Sequence, residues 1–132
     1  MRRLLILALL LCGSLAQAAE PGLYSPACRK GESFARVIQA KDNTGALIDF
    51  SGYTAKLQIR RTTDRFLELE LTSSAGLAMG GSAGTITWTM TPTQTNALAV
   101  GTHLYDLKLT SGVGTVSYLL YGYVVAREGV TQ

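Results

Sequence analysis

Cysteine, histidine and tryptophan are nearly missing from this chain of 132 residues, which has two, one and one of them. Cys12 lies in an apolar N-terminal run, so Cys28 is left as the one thiol of the domain that follows. A lone cysteine forms no internal disulfide, and such a domain is held together by its core. The expected state of Cys28 is buried and inert, with pairing between chains as the other reading. The single histidine, His103, has no partners at ligand spacing, so no metal centre is expected. Nor does any Cys/His or Ser/His arrangement point to nucleophilic chemistry. Charge is also sparse, at 16% of residues. Of the net +3, two units come from Arg2 and Arg3. Without them 10 basic residues face 9 acidic ones, or +1, and no basic stripe remains for a nucleic-acid partner.

No apolar run is long enough to anchor the chain across ~30 Å of hydrocarbon as a stable span. Met1-Arg2-Arg3, the run Leu4 to Cys12 and the small-x-small site Ala16-Gln17-Ala18 instead have the order of a secretory signal peptide cleaved after Ala18. Leu11 is too large for the position before a lipid-bearing cysteine, which argues against Cys12 as an attachment site. A retained, buried N-terminal helix is the structural alternative. Residues 19–132 then form one domain, and 47% hydrophobic content suits a folded core.

What is present is alternation. Tyr53, Ala55, Leu57 and Ile59 fall on one side of a period of two, and Thr54, Lys56, Gln58 and Arg60 on the other, as in a strand with one buried face. Leu23 to Arg29 reads as a short edge strand interrupted by Pro26. Ser33 to Lys41 reads as a second strand, with Phe34, Ile38 and Ala40 inward and Arg36 sharing their side. Asp42-Asn43-Thr44-Gly45 is a turn. Leu67, Leu69 and Leu71 are expected inward, with Glu68 and Glu70 on a solvated outer face. Neither glutamate has the apolar surroundings that an acid–base pair needs. Ser73 to Gly84 is a loose connection in which Leu77 and Met79 form a brief extra strand or tuck under. Gly80-Gly81-Ser82-Ala83-Gly84 lacks the lysine and helix of a phosphate loop.

Ile86, Trp88 and Met90 alternate with threonines, which makes Trp88 a core residue. Thr91 to Leu98 reads as one helical turn, with Thr91 or Thr93 as cap and Pro92 at its first position. His103, Tyr105, Leu107 and Leu109 share one face of the next strand, His103 as a partly exposed packing residue. In the last strand, Thr115 to Arg127, Val116, Tyr118, Leu120, Gly122 and Val124 are expected inward. The opposite face carries Leu119, Tyr121, Tyr123 and Val125 and is too apolar for free solvation. It is either covered within the monomer or used as a protein-contact face, and it is the best candidate surface for function. No catalytic, cofactor-binding or metal residues are assigned.

About seven short strands and no long helix predict an all-β, immunoglobulin-like antiparallel sandwich with one short helical turn. A closed small barrel is the competing architecture. Leu98 and Tyr105 are expected to plug the bottom of the core, where a helical turn precedes a Leu-x-x-Gly-x-x-x-Tyr strand.

Several motifs also carry a family resemblance. Lys30-Gly31-Glu32-Ser33-Phe34, Lys41-Asp42-x-x-Gly45 and Ile48 to Arg60 resemble small phage and prophage tail or baseplate-associated domains, similar to the N-terminal immunoglobulin-like domain of phage baseplate upper proteins. Gly84-Thr85-Ile86-Thr87, Thr91 to Leu98, Tyr105-Asp106-Leu107, Leu119-Leu120-x-Gly122-x-Val124 and Val130-Thr131 continue it over residues 29–132. The resemblance implies a non-enzymatic virion part, assembling with other phage structural proteins or copies of itself, and supplies no catalytic residues. The signal peptide departs from that pattern and points instead to an exported periplasmic or cell-surface protein recognising a glycan or an envelope protein.

Overall fold

The computed structural model describes residues 7–9 and 22–129. They form an all-β sandwich of two sheets, with one short α-helix and a single 3-10 turn among the described residues. The strands are β1 (Leu7–Leu9), β2 (Gly22–Leu23), β3 (Ala27–Arg29), β4 (Phe34–Lys41), β5 (Thr54–Arg61), β6 (Leu67–Thr72), β7 (Leu77–Met79), β8 (Thr85–Met90), β9 (Gly101–Thr110) and β10 (Val116–Arg127). Helix α1 spans Pro92–Ala97, between β8 and β9. The smaller sheet has the order β1-β4-β8-β7 and the larger β2-β10-β9-β5-β6, with β3 also on β10. Most of the expected leader lies outside the described residues. Its Leu7–Leu9 backbone pairs antiparallel with Gln39–Lys41 of β4.

The expected edge strand is split at Pro26. Its halves, β2 and β3, both run parallel to β10. Gly122 on β10 makes room for the crossing between them, because a Cβ there would lie 2.4 Å from the Tyr24 carbonyl oxygen. The link is tightened by Val125 N–H donating to the Pro26 carbonyl and Tyr24 N–H to that of Tyr121.

The core between the sheets runs in sequence from Cys28 to Ala126. At its centre the Trp88 ring lies 5.2 Å from Phe34 and 5.0 Å from Tyr105, centroid to centroid. Leu98 and Tyr105, expected to plug the bottom of the core, are both buried. The Tyr105 hydroxyl donates to the Tyr24 carbonyl at 2.5 Å, tying the N-terminal segment to β9. Burial raises the Tyr105 phenol far above its ordinary range. Thr91 rather than Thr93 caps α1: its hydroxyl accepts from Gln94 N–H, and the Gln94 side chain accepts from Thr91 N–H. The Lys30 ammonium donates to the carbonyls of Asn96 and Leu98 at the other end, each at 2.6 Å, where a cation complements the helix dipole.

Arg36 shares the core side of β4 as expected and is half-buried. Its guanidinium lies 4.5 Å from the Phe34 ring centroid and donates to the carbonyls of Ala27 and Ala35. Cys28 is buried and unpaired. Burial, then the nearby Glu32 carboxylate, pushes its thiol up against the opposing pull of Arg36 and Lys30.

Candidate functional site

Two β-bulges decide which residues face outward on the larger sheet. On β10 the register against β9 slips between Tyr118 and Leu120, so Leu119 becomes the extra residue. A one-residue slip exchanges the two faces of a strand. Val116 and Tyr118, expected inward, are therefore exposed. Leu119, expected on the contact face, is buried beside Leu120. Beyond the bulge the expected phase holds, with Leu120, Gly122 and Val124 inward. Tyr121 and Tyr123 face out, 48% and 46% exposed, and Tyr118 joins them at 49%. Val125 is half-buried, paired with Ala27 of β3. Tyr118, Tyr121 and Tyr123 thus face outward on the same side of the larger sheet.

Cross-strand register builds the rest of that surface. Tyr118 pairs with Lys108, which pairs on its other side with Lys56; Tyr121, Asp106 and Gln58 form the next such row, and Tyr123, Leu104 and Arg60 the third. Between these columns runs a groove in two parts. One, of about 190 Å³, is lined by Gln58, Arg60, Arg65, Leu104, Asp106 and Tyr121, with the edge of Tyr105 beneath. The other, of about 130 Å³, is lined by Lys56, Gln58, Asp106, Lys108 and Tyr118.

The wall along β5 is fixed in place. Gln58 accepts from Arg60 through Nε and Nη2 at 3.2 and 2.8 Å and donates to Glu70 at 2.6 Å. Arg60 Nη1 reaches the Arg65 carbonyl at 2.8 Å. Arg65 is the one non-glycine residue with positive φ (62°) among the described residues. That conformation costs roughly 1–3 kcal/mol in a non-glycine residue and concentrates at functional sites. At the centre, loss of hydration in the concavity raises the Asp106 carboxyl, while Lys108 and Arg60 pull it the other way.

The second bulge lies between β5 and β6, where the register slips at Ile59 and Arg60 and leaves Glu68 unpaired. Glu68 was expected on a solvated face with Glu70. It turns inward instead, its side chain 13% exposed, and meets Nδ1 of His103. His103, expected to be partly exposed, is buried, and its Nε2 donates to the Ala99 carbonyl at 2.7 Å. Both ring nitrogens thus have oxygen partners. Of the leucines expected inward beside it, Leu71 is buried, Leu69 packs partly on the core and Leu67 is exposed. This pair fastens β6 to β9. It is one histidine and one carboxylate, and no cluster of three or more His, Cys, Asp or Glu suited to a metal occurs among the described residues.

Sequence reasoning found Tyr121 and Tyr123 and missed Tyr118, Asp106, Arg65 and the Glu68–His103 pair. Apart from Arg65, which a left-handed turn between β5 and β6 places, the missed residues are ones whose placement depends on a bulge or on the register between distant strands.

No protein-family description matches the sequence, and neither does any curated protein. Among solved structures, the chain is similar to CopC from Methylosinus trichosporium OB3b, at 12% identity and a TM-score of 0.43, covering 85% of this chain and 88% of that one. A likeness at that level carries no argument about function. No described helix is long and apolar enough to cross a membrane.

Proposed function

We propose that this chain is a non-catalytic structural and interaction module of a phage or prophage particle, associated with its tail or baseplate. The observation that carries the reading is the larger sheet's uncovered surface. It ends on β6 with Phe66 and Leu67 exposed, and its outer face presents three tyrosines. Open edges and apolar patches of this kind serve as contacts with other proteins. The motifs that resemble phage tail domains build the sandwich itself, as expected of a part whose work is to dock. Its partners are other structural proteins of the particle or further copies of the chain.

The test is to purify particles from an induced lysogen and to identify the chain in them by mass spectrometry. Copurification with tail proteins is the expected result. A product lacking residues 1–18, found only in the periplasm, would sink it.

That second outcome belongs to the alternative reading, an exported periplasmic or cell-surface protein that recognises a glycan or an envelope protein. Its supports are the N-terminal leader pattern and the same tyrosine face.

A further inference from the structure

We propose that the outer face of the larger sheet binds an acidic polysaccharide, with its tyrosines stacked on sugar rings and its cations holding the sugar carboxylates. The inference adds a ligand to the module described above and does not depend on the particle or compartment that carries it.

Tyrosine offers an apolar ring and a polar tip at little cost in conformational entropy. A pyranose offers the complement, a C–H face rimmed by hydroxyls. The hydroxyls of Tyr118, Tyr121 and Tyr123 have no hydrogen-bond partner in the protein among the described residues, so each is free for a ligand. The two parts of the groove share Gln58 and Asp106, and each is flanked by its own tyrosine. Two like positions side by side along a strand suit a ligand that repeats.

Charge selects the kind of sugar. Arg60, Arg65, Lys56 and Lys108 line the groove against the carboxylate of Asp106. Glu70 stands beside the groove, 4.0 Å from Lys56, so four cations face two carboxylates, an excess that complements a uronate-bearing chain. Asp106, an acceptor only when ionised, is placed to take the sugar's hydroxyl donors. The Arg60–Gln58–Glu70 network is already made without ligand, which lowers the ordering cost of binding. The left-handed conformation of Arg65 is a strain retained where its side chain lines the groove.

A peptide strand fits less well, since it adds to a sheet edge, through backbone groups that a sheet face does not present. Single-stranded nucleic acid also stacks on aromatics, and titration with oligothymidylate separates it from a sugar ligand.

The test is calorimetric titration of the full chain, at low salt, with oligomers of polygalacturonate, alginate and hyaluronan. Dextran, cellohexaose and oligothymidylate serve as comparisons, and circular dichroism checks that each variant is folded. The expected result is saturable binding of at least one acidic oligomer, weakened by added salt and absent for the neutral sugars. Tyr121→Ala should lower that affinity about tenfold, the scale of one aromatic contact, and Tyr121→Phe by less. Arg65→Gly should also weaken binding, although glycine relieves the backbone strain.

Failure of all three acidic oligomers to bind would overturn the proposal. So would equal binding of neutral sugars, tighter binding of oligothymidylate, or an affinity indifferent to Tyr121→Ala. Loss of self-association in Tyr121→Ala with no effect on sugars would assign the face to a second copy of the chain. Absence of the chain from phage particles bears only on the module reading and leaves these results as they stand.

Discussion

Glu68 carries a carboxylate into a nearly dry position because a bulge turns it there, and His103 is the group it meets. Replacing one member of such a pair leaves the other without its charge-assisted partner, at roughly 1–3 kcal/mol for a buried polar group. Glu68→Leu should therefore lower the unfolding free energy from urea titration by about that amount, discounted for the remaining exposure of Glu68. A double variant with His103→Leu should cost less than the two single changes together. Strict additivity would show that the contact is incidental. Tyr105 makes a different prediction, through pH. Its phenol holds its proton in the folded chain well above the ordinary range, whereas the unfolded chain ionises near pH ~10. Stability from this group is complete below that pH and is lost as pH rises past it. Tyr105→Phe should cost about 1 kcal/mol at neutral pH through the lost bond to Tyr24. That deficit should narrow in urea titrations above pH ~10, and a constant gap would refute the assignment.

At the scale of elements, the crossing of β2 and β3 over β10 depends on Gly122. Its φ is 154° and its would-be Cβ meets backbone rather than a flexible side chain. Gly122→Ala should cost about 2 kcal/mol. It should also speed hydrogen exchange at Tyr24 N–H, which donates across this crossing, more than in β5 or β8. Uniform acceleration across the sandwich would mean that the crossing is not the weak point. This glycine was legible only as an inward position of β10; the nearby Tyr24 carbonyl was not. The same holds for the sheet as a whole. Alternation located β4, β5, β8 and β9 to within a residue or two, because a half-buried strand must alternate. The helical turn of α1 was legible from Thr91 and Pro92, but its cap stood open between Thr91 and Thr93, and the Gln94 capping box settles it on Thr91. Leu119 and Glu68 were misplaced because a bulge adds a residue without changing composition, and every position on one side of it then reverses. Arg60 was read as a polar outer-face residue, and only the pairing of β5 with β9 brings it to one groove with Asp106.

For the whole molecule, the N-terminal segment matters through the sheet edge on which it sits. Among the described residues the buried core runs from Cys28 to Ala126. β1 pairs with Gln39, Ala40 and Lys41 at the end of β4 and also lies near β2 and β10. A chain beginning at Ala19 should therefore keep its fold and unfold within about 1 kcal/mol of the full chain, since a few exposed ladder bonds have small net value. Its β4 edge, however, would present unpaired N–H and C=O groups at Gln39 and Lys41, and such an edge invites pairing with another strand. The shortened chain should accordingly self-associate more readily in sedimentation velocity than the full chain. Val37→Pro should reverse this, because Val37 lies on the same edge and a proline there removes a donor at the open side of the strand. If the shortened chain unfolds instead, the first strand belongs to the domain. A leader cleaved after Ala18 would then be incompatible with a stable mature protein.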